Sequence, residues 1–315
     1  MLKVLVAFSW LAIVYVILAF FSNVTLSELE KSLDAVYLYQ GWQWMIALIM
    51  LSMALRGLRW ILFFNNTFVG RKSALFLYHG WFFILSLMSL FRVGEVIRVE
   101  WLKEKGMTPS LSISYIFIEK LSDAFVLSIF LIVGFMLLSN LDLYLSALVG
   151  CFFMTLYFMM SFYNDQAHRI LERIKSRVTN IFLRKTLAFF GKVALYTTVL
   201  KNKGFNLALV LFTAFIWFCV VYSFHLFIAG QYPFVPFYAS ALLVAMVNLT
   251  GVLNISPANI GPFELCVVVI LLFYGVSEVE ASIFAVTLHF LVLAATIFYG
   301  LICRCLIKTC SILIK

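Results

Sequence analysis

The sequence predicts an all-α polytopic membrane protein of six to eight transmembrane helices, with two broken or re-entrant segments. Three observations carry that expectation. Of 315 residues, 64% are hydrophobic and 12% charged, with a mean hydropathy of +1.07. A chain of that balance has no water-soluble fold open to it. Apolar runs near the ~20 residues that a crossing needs alternate with short polar turns. Two runs, one in each half, break into polar stretches that contain Gly or Pro. Such a pair is the mark of an inverted pseudo-repeat, and of a transport site between the repeats.

Membrane segments and one basic loop use the whole length, so one integral domain is expected over 1–315. The net charge of +9 does not indicate nucleic-acid binding. Lys and Arg gather in the loops that the positive-inside rule keeps cytoplasmic. Cys151, Cys219 and Cys266 sit in apolar runs and read as small core hydrophobes. Cys303, Cys305 and Cys310 fall at the inner end, where thiols stay reduced.

In order, 4–21 is the first span, an uncleaved anchor starting inside after Lys3. The stretch 22–40 carries Glu28, Glu30 and Asp34 against Lys31 and is read as an outer loop. The run 42–64 returns inward, with Trp42 and Trp44 at the outer interface and Arg56 and Arg59 near the inner end. The run 74–90 leads into Arg92, Glu95 and Arg98. A full crossing there would strand Arg92, Arg98, Lys103 and Lys105 outside, so a re-entrant hairpin on the cytoplasmic side is expected. Residues 111–138 cross outward carrying Glu119, Lys120 and Asp123; Asn140 and Asp142 mark the turn, and 144–162 return.

The segment 163–204 holds nine Lys/Arg against Asp165 and Glu172. Ile170, Leu171, Ile174, Val178, Ile181 and Phe182 recur on one face at helical spacing. A basic amphipathic helix or hairpin on the cytoplasmic surface is expected, held by anionic inner-leaflet lipids. Residues 205–229 lead out, 237–253 head in, 265–274 head back over too short a stretch to cross, and 281–303 return. Arg304, Lys308 and Lys315 keep the end inside, so both termini are expected in the cytoplasm.

The second break reads Ser-Pro-Ala-Asn-Ile-Gly-Pro-Phe-Glu over 256–264. Pro257 and Pro262 each remove a backbone donor and bend the preceding residue out of helix. Open backbone survives at membrane depth only against protein or a wet cavity. Asn254, Pro257, Asn259, Gly261 and Glu264 are therefore candidate ligands of a polar headgroup, as are the free N–H groups of the half-helix that begins near Phe263. The plainer reading is a kink with locally satisfied polar groups. At the first break, Arg92, Gly94, Glu95 and Arg98 suit an anionic group, because a guanidinium presents a planar fork of donors. The plainer reading is charge held at the water boundary.

Glu119 and Asp123 share one helix face, four residues apart. They are read either as part of a polar cavity or as an ion pair with Lys120, Arg92 or Arg98 that locks helices together. His289 reads as a packing residue, and His79 and His225 carry less weight still. No catalytic set, metal spacing, nucleotide loop or cofactor fingerprint stands out.

Three motifs occur in order: Arg-x-Gly-Glu-x-x-Arg at 92–98, Glu-Lys-x-x-Asp at 119–123 and Pro-x-x-x-Gly-x-x-Glu at 257–264. Together they resemble the transmembrane (flippase) domain of lysylphosphatidylglycerol synthetases and their stand-alone relatives, over nearly the whole chain. The resemblance implies a helical domain of the bacterial or archaeal cytoplasmic membrane that moves a polar-headed lipid between leaflets. Two of the motifs depart from the family pattern. The last motif has Ala258-Asn259-Ile260 where the family is commonly glycine-rich, and Lys120 stands where an Arg is common. The chain stops at Lys315, before any aminoacyl-transferase domain, which argues against lipid aminoacylation and leaves a phospholipid or a polyprenyl-linked sugar as cargo. Two other readings stand beside translocation. One is a membrane-embedded transferase acting on a lipid-linked sugar or phosphate with Glu95 or Asp123 as base. The other is a non-catalytic scaffold for a lipid-modifying envelope enzyme.

Overall fold

The computed structural model describes residues 41–64, 72–89, 93–138, 143–251 and 256–312. The expected span 4–21, the loop 22–40, the turn at Asn140 and Asp142, and Arg92, Asn254 and Lys315 lie outside them. All regular structure among the described residues is helical, the form in which a chain satisfies its own backbone in lipid.

The helices are α1 (Trp42–Phe64), α2 (Lys72–Leu87), α3 (Val93–Glu104), α4 (Pro109–Leu137), α5 (Leu143–Phe162), α6 (Asn164–Arg177), α7 (Ile181–Tyr196), α8 (Lys203–Gln231), α9 (Phe237–Thr250), α10 (Pro262–Phe273) and α11 (Glu278–Ile312). Single 3₁₀ turns stand at Thr197–Lys201 and Pro257–Asn259. Among the described residues α1, α8 and the stretch Glu278–Thr309 of α11 are long and apolar enough to cross a membrane. The chain is an integral membrane protein. α10 shows why: Leu265 and Val269, one turn apart, face outward while Phe263, Val267, Ile270 and Leu271 are buried, so its outer stripe is as apolar as its core.

Local sequence sets the helix ends. Thr108 accepts the Leu111 N–H at 3.4 Å and Pro109 fills the first position of α4. Asn202 does the same for α8, accepting the Phe205 N–H at 3.1 Å. Inside α4, Ser112, Ser114, Ser122 and Ser128 each donate to the carbonyl four residues back. These hydroxyls are thus satisfied within their own helix.

α4 is the axis of the molecule, with α3, α5, α7, α8 and α9 packed around it. α1 lies against α2, α8 and α11. α3 doubles back on α2 so closely that a Cβ on Gly94 would fall 2.3 Å from the Phe82 carbonyl oxygen and the Ser86 nitrogen. Only glycine permits that approach. It fixes where α3 presents Arg98.

The basic segment is a hairpin of α6 and α7. The His168 Nδ1–H donates to the Gly191 carbonyl at 2.9 Å. Lys201 pairs with Asp165, and that bond holds the carboxyl below its usual range. Ile170, Ile174, Ile181 and Phe182 are exposed as the periodicity requires, while Leu171 and Val178 are half-buried. Cys151 is exposed rather than part of the core. α11 runs without a break from Glu278 to Ile312, well past the expected end at 303.

Candidate functional site

Arg56 and Arg59 sit one turn apart on α1, facing Glu119 and Asp123 one turn apart on α4. Arg59 is fully buried and bridges both carboxylates. Its Nη1 donates to Asp123 Oδ1 at 2.7 Å and Thr213 Oγ1 at 3.0 Å, and its Nη2 to Glu119 Oε1 and Asp123 Oδ2, both at 3.2 Å. On either side the same arrangement repeats. Glu119 Oε2 accepts the Trp60 indole N–H at 2.8 Å and Arg98 at 3.2 Å, and the Arg98 guanidinium lies 3.6 Å from the centre of that indole. Asp123 Oδ1 accepts the Trp217 indole N–H at 2.9 Å, and Arg56 lies 4.4 Å from that ring. Indoles thus serve each carboxylate with a donor and the two outer arginines, Arg56 and Arg98, with a π face.

Two expectations are corrected here. Arg56 and Arg59 are not inner-end markers; they are 6% and 0% exposed at the centre of an ion network. Of the partners expected for the carboxylates, Arg98 serves Glu119, but Lys120 turns to Glu95 at 3.2 Å. The cation partners of Asp123 come from α1. A buried carboxylate needs a cation from a facing helix, and four-residue spacing aims both carboxylates at the same one. His79 is likewise buried, 3.8 Å from Glu119.

The second break folds tightly. Ala258 and Asn259 adopt left-handed backbone at φ 55° and 60°, followed by Gly261 at φ 93°. Asn259 Nδ2 donates to the Val247 carbonyl at 2.9 Å, tying the turn to the end of α9. Glu264 Oε2 accepts the Gly261 N–H at 2.7 Å, so that donor is taken by the helix's own glutamate rather than left open for an anion. Glu264 Oε1 meets His289 Nδ1 at 2.6 Å, and His289 Nε2 donates to the Ala258 carbonyl at 3.1 Å. The imidazole stacks on Phe263 at 4.0 Å. His289 is therefore a partner of the break. Its being a titratable group inside an otherwise apolar span was the only signal for it.

Between the two regions lies a cavity of about 240 Å³. The expected residues Glu95, Arg98, Glu119, Asp123 and Asn259 line it, together with Arg56 and His289. The two breaks thus face one space. Gly94, Pro257, Gly261 and Glu264 stand behind the wall, where they shape α3 and the turn. Around the cavity and the network, Arg56, Arg59, Arg98 and Lys120 oppose Glu95, Glu119 and Asp123. Among these seven groups, leaving the histidines and Glu264 aside, one positive charge is in excess. Arg56 reaches Asp123 only at 3.6 Å, beyond hydrogen-bond range. The Nε of both Arg56 and Arg98 is buried without a partner among the described residues. An excess charge and unused buried donors suit an anion, since buried donors left unmade are costly.

A family model, the lysylphosphatidylglycerol synthase TM region, matches residues 1–300. No curated protein and no solved structure matches. The match spans nearly the whole chain, and the chain belongs to that family, whose setting is membrane lipid.

Proposed function

We propose that this member of the lysylphosphatidylglycerol synthase transmembrane family translocates a polar-headed lipid between leaflets. The observation that carries the reading is the charged cavity shared by the two breaks. Its ~240 Å³ falls just below the ~300–1,000 Å³ of pockets for drug-sized ligands. It suits a headgroup, with the acyl chains left in the bilayer. Desolvation is the barrier to moving a headgroup, and fixed polar partners offset it. Arg56 and Arg98 take the phosphate; Asp123 and Glu119 hold those arginines in place, and with Glu95 they offer acceptors to any amine on the headgroup.

The topology belongs to the same proposal. It has six to eight crossings, re-entrant segments at α2–α3 and α9–α10 related as an inverted repeat, and both termini in the cytoplasm of a bacterium or archaeon. The α6–α7 hairpin lies on the inner leaflet, its exposed Ile181 and Phe182 in the acyl boundary and its arginines on anionic lipid. A lipid-modifying enzyme on that side would supply the cargo.

Proteoliposomes test the reading. A reporter phospholipid, an aminoacylated lipid and a polyprenyl-phosphate lipid are each placed in one leaflet. Wild type is expected to move one class, and Arg56→Gln to lose at least about tenfold of that rate, the worth of a charge-assisted hydrogen bond. No movement of any class above empty vesicles, by protein shown to be folded, would refute translocation.

A further inference from the structure

We infer that Glu264 and His289 form a proton-binding site coupled to the headgroup cavity, so that a proton and an anionic headgroup bind together. The inference rests on the translocation reading, and the donors and acceptors of the pair carry it. The Ala258 carbonyl can only accept, so His289 Nε2 bears a hydrogen. At 2.6 Å from Glu264 Oε1, His289 Nδ1 must either donate or accept. If it donates, the pair is imidazolium and carboxylate. If it accepts, it is imidazole and carboxylic acid. Both forms hold one proton more than a neutral histidine beside an ionised glutamate, and both are neutral overall. Losing that proton leaves a charge of −1 and sets two lone pairs against each other at hydrogen-bond distance.

The position of the pair links that proton to the cavity. His289, Ala258 and Asn259 all line the wall, so the proton leaves and returns through the space that the headgroup fills. The other charged groups on that wall are Arg56 from α1, Glu95 and Arg98 from α3, and Glu119, Lys120 and Asp123 from α4. α2, α8 and α9 contribute none to it. On α10 the remaining titratable side chain is Cys266. Each of the facing carboxylates is paired with a cation. The Glu264–His289 pair has no such cation among the described residues. A phosphate entering the cavity therefore disfavours the −1 form and favours proton uptake, and linkage makes the effect reciprocal. The same bond governs the backbone. His289 grips the carbonyl of Ala258, a non-glycine residue in left-handed conformation, a state that persists only where its surroundings enforce it. Loss of the proton loosens that grip and frees the turn to move.

The test is equilibrium binding of a short-chain phosphatidylglycerol, whose phosphodiester stays anionic, from about pH 5 to pH 8, the range in which histidine titrates. Wild-type affinity is expected to rise at least about fivefold toward low pH, the lower end of typical coupling. Glu264→Gln lets a neutral imidazole accept at Nδ1 while donating at Nε2, so it keeps the bonds and removes the extra proton. Its binding is expected to be flat with pH. His289→Gln keeps a donor for the Ala258 carbonyl and is expected to be flat as well; if it does not fold, Glu264→Gln alone decides. A flat wild-type curve, or a wild-type slope retained in Glu264→Gln, overturns the proposal. The same protein in vesicles separates the two readings. A pH-linked affinity without lipid movement would refute translocation and leave the proton site standing. Movement with pH-independent binding would remove the proton site alone.

Discussion

On the α1–α4 side of the cavity, charges from three helices hold one another, and aromatic rings back the arginines. On the α9–α10 side, one glutamate, one histidine and one asparagine hold a backbone turn whose residues would not choose that conformation unaided. Arg59 alone makes four hydrogen bonds to three partners, whereas the Ala258 carbonyl is held by a single imidazole. The contrast separates two tasks. The first region fixes a charge pattern in space, and the second holds a backbone conformation against its local preference. Under the proposed translocation, binding of a headgroup would draw on the first and its release on the second.

Four substitutions test that contrast. Asp123→Ala removes the carboxylate that faces buried Arg56 and leaves Arg59 with Glu119 and Thr213; it is expected to cost about 3–5 kcal/mol, the penalty for breaking a buried ion pair from one side, read as a lower unfolding midpoint in detergent. Gly94→Ala puts a methyl 2.3 Å from the α2 backbone. It is expected to cost about 1–3 kcal/mol by forcing α3 outward, and to weaken anionic-lipid binding as Arg98 leaves its register with Glu119. Arg56→Gln leaves Asp123 with Arg59 and Trp217, so its stability cost is expected near 1 kcal/mol. Its loss of lipid affinity is expected to exceed what that small cost implies. Ala258→Gly is expected to do the reverse and stabilise by about 0.5–1 kcal/mol, since glycine occupies left-handed backbone without the Cβ penalty. A destabilised Ala258→Gly would show that the turn is not strained and would erase the distinction between the two regions.

Much of the fold is legible in the sequence because lipid narrows the choices. The apolar run 42–64 is α1 to the residue, and 144–162 misses α5 by one. The hairpin in 163–204 follows from its periodicity and charge. Both breaks are visible as Pro, Gly and charge inside apolar sequence, and their convergence on one cavity agrees with that pattern. Of the charge pairs, Arg98 with Glu119 is among those the sequence suggests, but the partners on α1 are not legible. Arg56 and Arg59 lie five or more residues before the end of their helix, which already sets them deeper than an interfacial marker. Their three-residue spacing matches the four-residue spacing of Glu119 and Asp123 on a facing helix. Nothing in one sequence says that α1 and α4 meet, so loop charge claimed those arginines first. His289 is hidden for a related reason. A lone histidine in a span most often packs, and its partner Glu264 is 25 residues away.

The central claim is that a headgroup occupies the space between the fixed network and the movable turn. A structure determined in nanodiscs of anionic phospholipid tests it most directly. The account predicts a phosphate within hydrogen-bond reach, about 2.7–3.2 Å, of Arg56 and Arg98, with the Glu264–His289 bond closed. A cavity holding only an acyl chain, with every headgroup outside and those arginines free of phosphate, would contradict it.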